Sequence, residues 1–284
     1  MSELAAPPVP AVDAEFTLSA TDFERVRQLI YQRAGISLHA GKQAMVYSRL
    51  SRRLREAGLR SFAEYLALLE RGGAEGEWQE FVNCLTTNLT AFFREEHHFV
   101  ALVADLRARA AGQPGRPIRI WCNATSTGEE PYSLAMTTLE ALGASAAVKI
   151  VASDIDTKVL ATAQRGVYAA DARGLTPERL KRHFLRGTGA NAGSIRVRPE
   201  LARLIEFRTF NLTAPHWSSL GEAFDIVFCR NVMIYFDADT QRRVLERIHG
   251  VMNPGGLLYV GHSENFGDSR DLFRLRGKTV YEHV

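Results

Sequence analysis

The sequence predicts an α/β protein: a Rossmann-like open sheet preceded by an all-helical domain and carrying a small inserted antiparallel β-subdomain. Three observations carry that prediction. The stretch Arg119 to Ser133, RIWCNATSTGEEPYS, starts inside an apolar run, Ile118 to Cys122. It passes through small and hydroxylated residues and Gly128 into the acidic pair Glu129 and Glu130, then an apolar helical segment, which reads as strand, tight loop and helix. A second apolar run, Lys149 to Ser153, ends on Asp154 and Asp156, the recurrence of strand and helix that builds a parallel sheet. Residues 16–90, by contrast, carry only helical patterns.

At 284 residues and 46% hydrophobic composition the chain can bury a sizeable core. No stretch approaches the roughly 20 apolar residues that span a bilayer, and the N-terminus lacks the basic-then-apolar pattern of a secretory signal. A cytoplasmic protein without membrane insertion is expected. Cys84, Cys122 and Cys229 are odd in number and lack C-x-x-C spacing, the pattern of buried reduced thiols. A net charge of +3 is too mild to require a nucleic-acid partner. His97 and His98, adjacent and therefore on different faces of a helix, have nothing nearby to complete a ligand set, so no metal site is expected.

In chain order, residues 1–15, with Pro7, Pro8 and Pro10 among alanines, predict a flexible tail. Ser19 or Thr21 opens a helix whose Phe23, Val26, Leu29 and Ile30 share one face, and Gly35 ends it. The next helix sets Met45, Val46, Leu50 and Leu54 on one side and Arg49, Arg52, Arg53 and Arg55 around the rest, and stops at Gly58. Such an arginine belt is either a solvated face or a surface for an acidic helix. Helices near Ser61 to Glu70 and Glu75 to Leu85 complete the domain. The following LTTNLTAFFREEHHF is too polar for a core strand. Its Asn88 and Thr90 can hydrogen-bond an adenosine or amino-acid moiety, and Arg94 offers a fork suited to a carboxylate, with a capping turn and a surface arginine as the plainer reading.

The loop after the first strand lacks the glycine patterns that cradle phosphates, and the acidic pair beside it would repel them. It suits a sulfonium, which points to S-adenosylmethionine. Asp154 is placed to hold ribose hydroxyls and Asp156 to cap the next helix. Thr176 to Phe184 reads as a basic helix, and RGTGANAGSIRVRPE as a small antiparallel hairpin with Arg196 and Arg198 on its second strand, giving a β-subdomain at about 185–200. Phe207 to Leu212 forms a strand leading to Asn211 and Leu212. FDIVFCRNVMIYF forms another, ending at Arg230 and Asn231 with Tyr235 just beyond. Asn253-Pro254-Gly255-Gly256 predicts a turn, and Leu272 to Arg276 and Thr279 to His283 a closing hairpin.

With LTTNLTAFFRE, STGEEPYS, FDIVFCRNVMIYF and VGHSENF in that order, the chain from Phe16 onward resembles the chemotaxis receptor glutamate methyltransferase (CheR) family. The resemblance implies a methyltransferase domain over 91–284 behind a helical domain over 16–90. It implies S-adenosylmethionine contacts at Asn88, Thr90, Arg94, Glu129, Asp154, Asn211, Leu212, Arg230 and Asn231, and a reaction centre at Arg94 and Tyr235. The implied reaction esterifies glutamate side chains on a chemoreceptor's cytoplasmic helical bundle, without a metal. Arg49, Arg52, Arg53 and Arg55 would meet that bundle, and some family members hold a receptor C-terminal peptide on the β-subdomain, whose loop GTGANAGS is similar here. Asn123 and Thr125 depart from the small residues usual in the first loop. A monomer is expected. The rival readings are a nucleic-acid methyltransferase, against which stands the absence of [DN]-P-P-[YFW] beside Arg230 and Asn231, and a non-catalytic adaptor with a vestigial cofactor pocket.

Overall fold

The computed structural model describes residues 15–284, so the tail expected over residues 1–15 lies, apart from Glu15, outside the described residues. The first domain packs α1 (Ala20–Ala34), α2 (Gln43–Ala57), α3 (Phe62–Glu70) and α4 (Glu75–Leu85). Ser19 is the cap of α1: its hydroxyl accepts the Asp22 amide while Asp22 reaches back to the Ser19 backbone, a reciprocal capping box. The predicted faces meet as expected, with Val26, Ile30, Val46, Leu50, Leu54, Phe62, Tyr65 and Phe81 buried together. Each such aliphatic contributes on the order of 1.5–3 kcal/mol when fully withdrawn from water. Cys84, on α4, is half-buried, which corrects the expectation that all the cysteines are core thiols.

A second domain follows through α5 (His97–Gly112), β1 (Ile118–Cys122), α6 (Glu129–Leu142), β2 (Val148–Asp154) and α7 (Thr157–Arg165). A three-stranded sheet is then inserted, made of β3 (Val167–Ala169), β4 (Phe184–Arg186) and β5 (Ser194–Val197), with α8 (Pro177–His183) between β3 and β4. The chain re-enters the main sheet by α9 (Pro199–Ala202) and β6 (Ile205–Thr209), and continues as β7 (Phe224–Cys229), α10 (Ala238–Gly250), β8 (Met252–Val260), β9 (Phe273–Gly277) and β10 (Val280–His283).

The main sheet has the order β6-β2-β1-β7-β8-β10-β9, with β1 pairing parallel to both β2 and β7, and β10 antiparallel to its neighbours β8 and β9. Its central strands are covered on both faces: Ile120, Cys122, Ile226 and Phe228 face one core, Trp121, Val227 and Cys229 the other. That double burial is why IRIWC and FDIVFC end as unbroken apolar runs. Asp225, buried near the start of β7, accepts Arg116 Nη2 at 2.9 Å and the Arg119 amide at 3.0 Å.

The structure departs from the sequence expectation in three places. The inserted sheet has three strands in the order β3-β5-β4 and begins at Val167, ahead of the hairpin placed at about 185–200. The strand expected over Phe207 to Leu212 is Ile205–Thr209, and Asn211 and Leu212 lie in the loop beyond it. Asn253 to Gly256 is not a separate turn but the irregular start of β8, where the register against β7 shifts between Phe224 and Ile226. A bulge accommodates the proline and glycines there without ending the strand.

Candidate active site

The order β6-β2-β1-β7-β8 reverses direction between β1 and β7, so the loops leaving the carboxyl ends of these two strands diverge and leave a crevice. A cleft of about 340 Å³ lies there, within the roughly 300–1,000 Å³ of small-molecule sites. Its floor is the loop Asn123, Ala124 and Ser126 with Asp154. One wall is Phe210 to Leu212, another Arg230 to Phe236, and the helical domain closes it with Ile36, Leu38, Lys42 and Met45. The segment Thr86 to Thr90 runs along it and delivers Arg94.

This arrangement rests on contacts between the two domains. Asp156 caps α7 through the Lys158 and Val159 amides, as the sequence implied, and its other oxygen accepts Thr86 Oγ1 at 2.6 Å and Asn88 Nδ2 at 2.8 Å. Asn211 donates from Nδ2 to the Arg33 carbonyl at 2.8 Å and accepts the Thr213 amide at 2.9 Å. Gly35, at φ 70°, ends α1 where a Cβ would come 2.5 Å from Thr213 Cγ2, so the junction needs a residue without a side chain.

Asp154 is buried at the end of β2, where its oxygens accept the Ser126 amide at 2.7 Å and the Asp156 amide at 2.9 Å. Burial, opposed by those amides, pushes its carboxyl up to about 6. The sign is opposite for stability and for binding. Protonated Asp154 favours the folded chain, so its contribution to stability is largest below about pH 4 and is lost as pH rises through 6. An ionised carboxylate accepts hydroxyl hydrogens more strongly than its protonated form does, so the affinity for a hydroxyl-bearing ligand held at Asp154 should rise over the same interval. Calorimetric titrations from pH 5 to 8 should show that rise in the parent and a flat profile in Asp154→Asn.

Of the acidic pair after Gly128, the structure brings Glu130 to the cleft and not Glu129. Glu129 turns to Thr127, whose hydroxyl it accepts at 2.6 Å. Adjacent helical residues point about 100° apart, so the two carboxylates of the pair face different surroundings. Glu130 is itself paired with Arg230, at 2.6 Å. Arg230, its side chain fully withdrawn from solvent, also lies 3.4 Å from Glu95 and donates to the Arg94 carbonyl at 2.5 Å. Its guanidinium therefore ties the Arg94 segment to β7 and α6 rather than reaching outward.

Arg94 lines the cleft and donates from Nη1 to the Leu89 carbonyl at 2.8 Å; Thr90 and Tyr235 line it too. Asn231, in the left-handed region at φ 58°, donates its amide to Glu264 at 2.8 Å.

Sequence reasoning gave no role to Glu95 or Glu264. Glu264 is buried and accepts the amides of Gly261, Asn231, Val232 and Met233 at 2.7–3.0 Å, fixing the loop that carries Asn231 and Tyr235. Burial nevertheless raises its carboxyl above the usual range. A Cβ at Gly261 would stand 2.5 Å from Asn231 Nδ2 and 2.9 Å from Glu264 Oε2, so glycine before His262 admits this carboxylate. The signal was the glutamate inside VGHSENF, a motif of small and polar residues after a buried strand. Glu95 is opposed by burial, but His262 at 3.1 Å and Arg230 hold its carboxyl down at about 2. It also stands with His97 and His98 in a group whose ligand atoms lie within 4.8 Å of one another, a set the sequence reading had discounted. Burial lowers His98 to about 4, and its Nε2 lies 2.9 Å from Thr279 Oγ1.

The arginines of α2 divide. Arg53 bonds Glu77 at 2.5 and 2.7 Å, and Arg49 donates to the Thr86 carbonyl at 2.6 Å, so both hold α4 and the segment after it. Among the described residues Arg52 pairs along its own helix with Glu56, and Arg55 with Glu15. Arg53→Ala should therefore lower the melting temperature, costing about 1–3 kcal/mol by stranding Glu77, whereas Arg52→Ala should leave it unchanged; thermal melts check both.

Residues 88–282 match the CheR methyltransferase SAM binding domain and residues 21–86 the CheR methyltransferase all-alpha domain. The chain belongs to the CheR methyltransferase family. Among the family's curated members, it is 56% identical over 269 residues to chemotaxis protein methyltransferase 2 of Pseudomonas aeruginosa, covering 94% of each chain. It is 55% identical over 266 residues to the chemotaxis protein methyltransferase of Klebsiella aerogenes, covering 93% of this chain and 90% of the relative. The corresponding Escherichia coli protein is 53% identical over 266 residues, covering 93% and 91%. The boundary between the two matched family domains, between 86 and 88, falls on the segment that Asp156 ties to the cleft. Among the described residues no helix is long and apolar enough to cross a membrane.

Proposed function

We propose that the chain transfers a methyl group from S-adenosylmethionine to glutamate side chains of chemoreceptor cytoplasmic helices, forming methyl esters. The observation that carries this reading is the juxtaposition of Asp154, Arg94 and Tyr235 in one cleft at the sheet's switch point. The residues present fit the cofactor. Asn88, Thr90, Asp154, Asn211, Leu212 and Asn231 would surround it with amides, hydroxyls and one carboxylate, and no phosphate-binding glycine loop is present.

When bound, the sulfonium supplies an electrophilic methyl carbon and its sulfur is the leaving group. The chain needs no general base, because an acceptor glutamate with a pKa near 4.3 is already ionised at neutral pH. Its contribution is placement: holding the acceptor oxygen in line is worth on the order of 7–11 kcal/mol at best. Arg94, half-buried, steers the acceptor carboxylate without fully pairing it, and Tyr235 sets its angle. The apolar lining from Ile36, Leu38, Leu212 and Phe236 keeps water from solvating the carboxylate.

Docking of the receptor helices falls to the exposed part of the α2 surface, chiefly Arg52 and Arg55. The inserted sheet, whose β3 and β4 are outer strands, is suited to a receptor C-terminal peptide added as a further strand. Mass-spectrometric mapping of a receptor signalling domain after incubation with enzyme and S-adenosylmethionine should place the added methyl on glutamate. A methyl on lysine, arginine or a chain terminus would refute the reading.

A further inference from the structure

The inserted sheet does more than hang beside the cleft. Its outer strand β3 carries Tyr168, which is half-buried and touches two other parts of the molecule. The phenol donates to the Thr127 carbonyl at 2.8 Å, on the turn between β1 and α6. Gly128, at φ 103°, makes the room: a Cβ there would lie 2.5 Å from Tyr168 Oη. The ring meets Phe92 edge-on, with centroids 5.0 Å apart and planes at 78°.

Phe92 and Phe93 immediately precede Arg94, and more of the insertion grips them. Phe184 of β4 packs edge-on against Phe92 at 5.7 Å, and a Cβ at Gly174 would overlap the Phe92 carbonyl. Arg179 of α8 lies 3.7 Å over the Phe93 ring, anchored by Glu140 at 2.9 and 3.1 Å. The Phe93 amide donates to Ser133 Oγ on α6 at 3.0 Å, and Phe93 itself is held at φ 52°, a conformation that costs energy unless neighbours fix it.

We propose that Tyr168 is a positioning residue that couples the inserted sheet to both ends of the reaction centre, holding the cofactor turn through its hydroxyl and the Arg94 segment through its ring. Two single substitutions separate the arms. Tyr168→Phe keeps the ring against Phe92 and leaves the partly buried Thr127 carbonyl without this donor. Phe92→Leu keeps the hydroxyl contact and loosens the approach to Arg94.

This inference rests on the proposed methyl transfer. The test is steady-state kinetics of the full chain with S-adenosylmethionine and a receptor signalling domain, alongside calorimetry and thermal melts. Tyr168→Phe should raise KM for S-adenosylmethionine about tenfold with kcat within about twofold, since one lost hydrogen bond to a partly buried carbonyl is worth up to about that ratio. Phe92→Leu should lower kcat about tenfold and leave that KM in place. The inference is overturned if both variants melt lower but keep the parent KM and kcat per folded enzyme, or if Tyr168→Phe binds the cofactor as tightly as the parent does. If the parent itself binds no S-adenosylmethionine, the proposed function fails instead.

Discussion

Replacing Glu264 with alanine should destabilise the chain by about 3–5 kcal/mol and abolish cofactor binding together, because four amides, those of Gly261 and Met233 buried and those of Asn231 and Val232 partly so, lose one shared acceptor. The carboxylate is more than 95% withdrawn from solvent, at 3% exposure, so water cannot readily replace it. The loop it gathers, Asn231 to Met233, runs directly into Tyr235, and Asn231 sits at a positive φ that an unanchored loop would leave. Glu264→Gln preserves the shape and one good acceptor, and should recover about half of the loss. Denaturant titrations give the stability change, and calorimetry with S-adenosylmethionine gives the binding. A stable Glu264→Ala protein with parent affinity would show that the loop is held by its packing alone.

Arg94→Ala should lower kcat about a hundredfold, and Tyr235→Phe about tenfold, with smaller changes in KM for S-adenosylmethionine. The difference follows from what each removes. Arg94 is a fork-shaped cation on a segment braced by Arg230, which donates to its carbonyl, so its loss frees the acceptor carboxylate to misalign. Tyr235 loses a single hydroxyl while its ring and the backbone of the 3-10 turn Met233–Tyr235 stay, including the bond from the Ser37 amide to the Tyr235 carbonyl at 2.8 Å. Steady-state kinetics at saturating receptor would check both. Full turnover in both variants would remove these residues from the reaction centre.

The parts of the fold legible from sequence were those with one clear periodicity. The amphipathic helices α1 and α2, the apolar strands β1, β2 and β7, and the cap at Asp156 all stand where local pattern placed them. Helix α5 was not placed, because Phe99, Leu102 and Leu106 are buried against the sheet while alanines and His98 blur its polar face. Strand β3 was missed for a different reason: Val167–Ala169 is a three-residue strand with an exposed outer edge, and its identity comes from pairing with β5.

In the site, residues that reach the cleft from separate loops were recoverable by motif: Asn88, Thr90, Arg94, Asp154, Asn211, Leu212, Arg230, Asn231 and Tyr235 all line it. What sequence could not reveal is which polar group faces outward and which is consumed internally. Glu129 and Glu130 look alike in a string and differ only by a helical rotation. Arg49 and Arg53 look like Arg52 and Arg55, yet their partners at Thr86 and Glu77 lie 37 and 24 residues away. Such pairings are long-range facts of packing, as is the set of loops gathered by Glu95 and Glu264.

The most direct test of the central claim uses S-adenosylmethionine labelled in its methyl group, a receptor signalling domain and the full chain, followed by mild alkali and capture of volatile methanol. Carboxyl esters hydrolyse under those conditions and N-methyl groups persist. The account predicts label on the receptor that alkali releases as methanol, and that Arg94→Ala largely prevents. Label that survives alkali, or a chain that binds S-adenosylmethionine and transfers nothing to a receptor signalling domain, would contradict it.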